Sequence, residues 1–488
     1  MWLLSLLQGA AWLGDARAVL LCVLAVLVVL LVVDLYRNRH PPNFPPGPPG
    51  LPFLGNVSVG YDYHSMNKLA ERFGSVFSVR WGGDRVVVVS GYRAVREVLV
   101  TQGDVFLERP ISPLFHQVFK GNGISTSNGY KWRRQRQFSI AHLKNFGEGK
   151  KSLERHIQLE SNFLCSAFQQ ETGAFNPKAV ISSASANVIG SLVFGKRFDY
   201  DETDFQNLLQ KVQESMLLLG TVRVQLYDSF PWLFKHLPGP HEVILSNYAL
   251  LVSFLRREIE KHETDWDPSD HRDFIDAYIG QIDKKKEDVE AGFDIDNLAT
   301  CTLDLFEAGS QTVASTLSWS LVYMVKYPEI QGQSRQPCIG DRAGMHYTEA
   351  VLHETQRMGD LLPLAIPRLA SRDTSLAGYS IPQGSLIVVN LSSVLHDPNE
   401  WETPLQFNPQ HFLDECGHFR KRDAFYPFSA GKRQCIAEQL VRMELFLFFS
   451  TVLQRFSVSS PPGQEVSLEP EGLGVLTPKP FLMCVRSR

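Results

Sequence analysis

The sequence has no CxxC pair and no close cysteine cluster. Its seven cysteines stand at 22, 165, 301, 338, 416, 435 and 484, an odd number spread along 488 residues. This argues against a disulfide framework and against a zinc site. Free cysteines in a protein body point to a reducing compartment, such as the cytosolic side of a membrane. An excess of positive charge is also lacking: 48 Lys and Arg face 52 Asp and Glu, for a net charge of -4. A nucleic-acid binder would carry a basic block or tail, and none is visible. No internal repeat is visible either. What remains is an ordinary globular composition, 44% hydrophobic and 20% charged, with room for a large core.

Ala18 to Val33 is free of charge, and the apolar stretch extends past Asp34 to Tyr36. That approaches the ~20 residues that span a bilayer. A cleaved signal peptide would have a basic start, a shorter core and a small-residue cleavage site. Here the basic cluster of Arg37, Arg39 and His40 follows the run, and bulky Asp34-Leu35-Tyr36 sits where small residues would be needed. The expectation is a membrane anchor over 1–40 with a transmembrane helix at about 18–36. The positive-inside rule places the rest in the cytosol. A buried core helix is the competing reading, and it fits poorly beside a basic cluster and a Pro-rich tail. Residues 41–56, PPNFPPGPPGLPFLGN, cannot form a helix interior or central strand and predict a stiff, extended linker. The main body of the chain then runs over 57–488.

Within the body most segments have helical period. Strands are expected around Val76–Arg80, Val86–Val89 and Leu386–Asn390, and a long helix from Asn297 to Tyr327 ends at Pro328. The fold class is mainly α with small β-sheets (α+β). Asp283 to Glu290 is a mixed-charge stretch that reads as a solvated loop.

The most informative segment is PFSAGKRQCIAEQL, residues 427–440. Gly431 permits a tight turn where a side chain would clash with a flat ligand. Cys435 stands just ahead of an apolar helical run, where the helix dipole and backbone N–H groups favour a thiolate. Arg433 offers a positive charge to a carboxylate. A lone cysteine is more often a small buried hydrophobe; the spacing of Phe428, Gly431, Arg433, Cys435 and Ala437 argues otherwise.

With these residues the sequence resembles the cytochrome P-450 superfamily of haem-thiolate monooxygenases over essentially its whole length. The family signature more often ends in Gly where this chain has Ala437. The resemblance implies the cytochrome P-450 fold and haem b with Cys435 as axial ligand to the iron. Three further motifs agree. Glu354 and Arg357 share a helix face and match a buried structural pair, whose third partner falls at His411 in place of the commoner Arg. Trp132 and Arg136, four apart on a helix, match a propionate-binding pair, and Arg433, Arg368 and Lys120 fall at other propionate-contact positions. Ala308-Gly309-Ser310-Gln311-Thr312 lies inside the long helix, where small residues let a flat ligand and dioxygen approach. There Thr312 can hydrogen-bond bound oxygen and pass protons to it, or can simply be a helix-bending Thr.

Two departures stand out. The family usually has an acid immediately before this Thr, whereas Gln311 is an amide and cannot relay a proton as a carboxylate does. Relatives also continue the helix after Pro328-Glu-Ile-Gln331 for roughly ten residues, about three turns, which this chain lacks. The apparent deletion is expected to expose apolar surface and lower stability, and an inactive haem-binding isoform is one consequence to weigh. The closest phrases, such as FLERP and FGKRFDY, look like the J subfamily of vertebrate microsomal family two. They imply oxidation of polyunsaturated fatty acids such as arachidonate and of lipophilic foreign compounds. They also imply the endoplasmic reticulum membrane and electrons from an NADPH-dependent cytochrome reductase, with cytochrome b5 as a possible second donor. Lys432, Arg420, Lys421 and Arg422 could dock its acidic surface. A reductase-independent haem-thiolate isomerase is the rival enzyme reading: Gln311 fits it weakly, and Thr312 argues against it.

Overall fold

A computed structural model describes residues 2–37, 39–60, 62–144, 151–334 and 344–488. The architecture turns on one helix, Ile295–Lys326. Asp294 caps it by accepting a 2.7 Å hydrogen bond from the Asn297 amide, and Lys326 complements the dipole at its end. Pro328 cannot continue it and instead opens a short helix, Pro328–Gln333. Almost all of Asn297–Val325 is buried, so this helix is core on every side rather than on one stripe. Helices Lys178–Val193, Pro240–Asp265, His346–Gly359 and Glu438–Arg455 pack around it. The close approach of Lys178–Val193 depends on Gly309: a Cβ there would lie 2.7 Å from Ile189.

The main sheet has four strands. Val76–Trp81 runs antiparallel to Asp84–Val89, which pairs in parallel with Leu386–Val389, and that strand pairs antiparallel with Arg368–Leu369. Val86–Val89 is buried on both faces, as its unbroken valine run requires for an inner strand with a parallel neighbour.

Helix Trp2–Arg37 includes the apolar span Ala18–Tyr36, whose side chains are mostly exposed. At 1.5 Å per residue, 19 residues cover about 28 Å, close to a bilayer core. Near its end Asp34 pairs with Arg80 at 3.2 Å and accepts a hydrogen bond from the Phe53 amide at 3.1 Å. The Pro-rich segment is extended, as expected, and is stitched along the sheet edge. The Ser78 amide donates to Pro46 at 2.7 Å and the Ser78 hydroxyl to Pro45 at 2.8 Å. A Cβ on Gly47 would meet the Ser78 carbonyl at 1.9 Å, so only glycine passes there.

The expected gap follows Gln331, inside the short helix Pro328–Gln333, and residues 335–343 just beyond lie outside the described residues. Gln331 itself is buried. It bonds Met324 and Val458 through Nε2 at 3.0 and 2.9 Å and accepts from the Val458 amide at 3.0 Å, tying the end of the central helix to strand Phe456–Ser459.

Candidate active site

Cys435 lies in a loop ahead of helix Glu438–Arg455. The loop closes on itself: the Cys435 amide donates to the Phe428 carbonyl at 3.1 Å, and Gln434 donates to Gly431 at 3.0 Å. Gly431 has φ +73°, and a Cβ there would sit 2.0 Å from the Leu99 carbonyl. The glycine is therefore needed for close approach to the backbone of Glu97–Thr101, rather than to clear a flat ligand. The Cys435 sulfur has accessible surface, yet protein is so dense around it that burial pushes its thiol pKa up. The Ala437 amide and the Arg136 guanidinium oppose that rise. The expected depression by a helix terminus is thus outweighed, and the thiolate needs a cation bound directly to it.

Beside this loop the fold gathers arginines. Trp132 and Arg136 share one face of helix Gly129–His142, and Arg136 donates to the Gln434 carbonyl at 2.6 Å. Arg433 lies 3.9 Å from the centre of the Trp132 ring and donates to Leu107, Ile124 and Ser127 carbonyls. Arg368 is buried at the start of its strand and donates to Phe106 at 3.3 Å. A fourth member, Arg109, was not singled out from sequence, although it stands in the FLERP phrase. It is buried and donates to Ile366 and Pro367 at 2.6 and 3.0 Å. Burial and mutual repulsion hold Arg433 down to about 9 and Arg368 to about 10, with Glu108 partly offsetting the effect on Arg433. Arg109 is lowered by burial and by the other three arginines. Among the described residues no carboxylate hydrogen-bonds any of the four. The Trp132 indole N–H and Arg368 Nε are buried without a hydrogen-bond partner. Buried donors and cations in this number call for a dianion. A flat group carrying two carboxylates and a thiolate-binding metal fits this donor set. Lys120 does not join it: it is exposed, in left-handed backbone at the end of helix Pro113–Phe119.

On the central helix Ala308 is exposed although its neighbours in sequence are buried or half-buried. Gly309 serves helix packing against Ile189 rather than ligand approach. The Thr312 hydroxyl donates to the Ala308 carbonyl at 2.7 Å, which leaves its oxygen free to accept. Gln311 is buried.

Glu354 and Arg357 form the buried pair expected, with both contacts at 2.7 Å. His411 Nε2 accepts from the Thr403 amide at 3.2 Å, so Nδ1 carries the proton toward Glu354, also at 3.2 Å. Of the basic residues expected to dock a partner, Arg420 and Arg422 are engaged by Glu402, and Lys432 pairs with Asp104; Lys421 is exposed.

The family model for "Cytochrome P450" matches residues 45–485. Human cytochrome P450 2J2 is 43% identical over 461 residues, covering 91% of this chain and 92% of the human protein. Mouse cytochrome P450 2J5 is 42% identical, covering 96% of each chain, and human cytochrome P450 2A13 is 40% identical, covering 95% of this chain and 98% of its own. The chain belongs to the cytochrome P450 family, monooxygenases that bind haem with a cysteine thiolate as the iron ligand.

Proposed function

We propose that Cys435 is the thiolate ligand of haem iron, and that Trp132, Arg136, Arg368 and Arg433, joined by Arg109, hold the two propionates. The enzyme inserts one oxygen atom from O2 into polyunsaturated fatty acids such as arachidonate, and into lipophilic foreign compounds. One observation carries the reading: three buried arginines, Arg109, Arg368 and Arg433, with half-buried Arg136 and an unpaired indole N–H, lie beside the Cys435 loop. When bound, the thiolate-ligated haem supplies oxygen activation, since the thiolate pushes electron density that favours O–O cleavage.

The chain's own residues do the rest. Exposed Ala308 leaves room beside the central helix, and Thr312 one turn on offers a hydroxyl oxygen that can accept a hydrogen bond. By the same resemblance the segments around 205–230, 361–366 and 472–476 supply substrate contacts, and these segments meet. A Cβ on Gly220 would strike Leu473 and Gly474, and Leu476 donates to the Leu361 carbonyl at 2.9 Å. The likeness to the 2J proteins over more than nine-tenths of the chain supports the fatty-acid substrate class.

The anchor over 1–40 and linker over 41–56 hold the body, 57–488, on the cytosolic face of the endoplasmic reticulum membrane. Electrons come from an NADPH-dependent cytochrome reductase, with cytochrome b5 as a second donor, docked on a face that includes exposed Lys421, Lys432 and Arg133.

The test is a carbon monoxide difference spectrum of the reduced protein in membranes. A strongly red-shifted Soret band is the expected result; a band at the shorter wavelength of the thiolate-lost form overturns the assignment of Cys435. NADPH consumption that depends on reductase and yields oxidised arachidonate then separates monooxygenation from reductase-independent peroxide isomerisation.

A further inference from the structure

Monooxygenation consumes protons in fixed proportion: O2 + RH + 2 e− + 2 H+ gives ROH + H2O. The amide of Gln311 has no proton to give near neutrality. Glu307 lies one turn earlier on the same face of the central helix, at i−4. It is 6% exposed, and its Oε1 accepts a 2.6 Å hydrogen bond from the Tyr248 hydroxyl, on helix Pro240–Asp265. Tyr248 is in turn fixed by Phe119, edge-on at 5.7 Å. The other charged group acting on Glu307 is Asp304 of its own helix, held by the Ile124 and Ser125 amides at 2.6 and 3.1 Å. Burial is the largest influence on Glu307, with Asp304 adding to it and Tyr248 opposing, and its pKa is pushed up to about 7. Such a carboxyl both holds and gives up a proton at working pH.

A small polar cleft lies one turn further along the helix, at Gln311. Gln311 lines a cleft with Ser182, Ser315, Ser318, Thr477 and Lys479, whose polar side chains suit water.

We propose that Glu307, seated on Tyr248 one turn ahead of Gln311, holds and delivers the protons consumed at the oxygen site, in place of an acid at 311. The assignment rests on the haem-thiolate reading. Glu307 acts through Thr312 and intervening water, so it is a positioning and relay residue. Its carboxyl loses a proton toward the site, Tyr248 donates to the carboxylate formed, and the proton is replaced from bulk water through the cleft. No electrons move at Glu307.

The experiment uses the full chain in membranes with NADPH reductase, as wild type, E307Q, E307D, Y248F and E307Q/Q311E. Infrared titration of the ferric protein reads the carboxyl directly, without turnover. A protonated C=O band that titrates near neutrality is expected; E307Q removes it, and Y248F moves its midpoint upward. In turnover, E307Q diverts electrons from product to hydrogen peroxide by at least about tenfold. E307D retains part of the yield, and E307Q/Q311E restores it with a changed pH profile. The proposal is overturned if E307Q keeps a normal carbon monoxide spectrum and a product-to-peroxide ratio within about twofold of wild type from pH 6.5 to 8.5. It is also overturned if no band is lost. A wild type without the thiolate spectrum, or without reductase-dependent product, instead refutes the underlying reading, and the relay falls with it.

Discussion

Trp132→Phe separates a cofactor contact from a packing contact. The indole ring is buried against Arg433, and phenylalanine keeps an aromatic face there while removing the N–H. In the haem-free protein that N–H is a buried donor without a partner. Its removal therefore costs the empty fold nothing in hydrogen bonding and relieves an unsatisfied group. On the proposed reading the same N–H donates to a propionate carboxylate in the loaded protein. A hydrogen bond to a charged group contributes about 1.5–3 kcal/mol. The weaker cation–π contact of phenylalanine with Arg433 loses about 0.5 kcal/mol more. At 1.4 kcal/mol per decade, the hydrogen bond alone is worth roughly 10- to 150-fold in haem affinity. The assay is the rate of haem transfer to apomyoglobin, with melting curves of the haem-free and loaded forms. Haem loss should be faster, and the melting temperature of the loaded form should fall more than that of the haem-free form, which loses only packing and the cation–π contact. Haem loss at the wild-type rate would refute the assignment of Trp132, and an equal drop in both melting temperatures would show that the ring is only packing.

Three other perturbations have defined outcomes. Arg357→Ala leaves the Glu354 carboxylate buried without its cation and strands the Leu395, Pro404 and Gln406 carbonyls; breaking such a pair costs about 3–5 kcal/mol. With an unfolding entropy of about 2.1 cal/mol/K per residue over roughly 430 residues, the melting temperature should fall about 3–5 °C by circular dichroism; a change under about 1 °C contradicts the role. Glu307, raised by burial to about 7 from 4.5, adds no penalty at low pH and weakens the fold as pH rises through the window between those values. Thermal stability of Glu307→Gln should therefore be flatter across that window and higher above it, and parallel wild-type and variant curves would exclude the linkage. Asp34→Asn removes the ion pair with Arg80, so proteases should cut the 39–56 segment several-fold faster in vesicle-bound protein, about what the loss of 1 kcal/mol allows; equal rates would show that the anchor is held by other contacts.

Local chemistry was the legible part of this sequence. The central helix, its Pro328 stop and its neighbouring strands followed from periodicity and breakers, within a few residues. The Cys435 loop and the Glu354–Arg357 pair followed from short spacings on one element. What escaped depends on chain segments far apart in sequence. Arg109 joins the arginine group because 105–109 lies against 366–369, more than 250 residues away. Gly431 and Gly309 looked like clearance for a ligand, yet their neighbours are Leu99 and Ile189. Lys120 matched by position alone, and nothing in its own segment could show that the backbone there turns it outward. Asp34 read as the end of an apolar run, and its partner Arg80 lies on a strand of the body.

The buried charges form one system, and the segment from Gly123 to Asn128 joins its two signs. Its amides point one way: Ile124 and Ser125 donate to Asp304, and Gly123 donates to Asn297. Its carbonyls point the other way: Ile124 and Ser127 accept from Arg433, and Ser125 accepts from Arg109. Peptide dipoles laid between an acid and two cations lower the cost of burying both without bringing them together. A direct ion pair would have spent the arginines on Asp304 and left no cation for a second anion. The intervening backbone keeps them available, short of a full counter-charge. Whatever dianion settles there adds its binding free energy to the stability of the fold. The same arrangement fixes Asp304 beside Glu307, three residues along the helix, so the acid that the segment holds also tunes the Glu307 carboxyl.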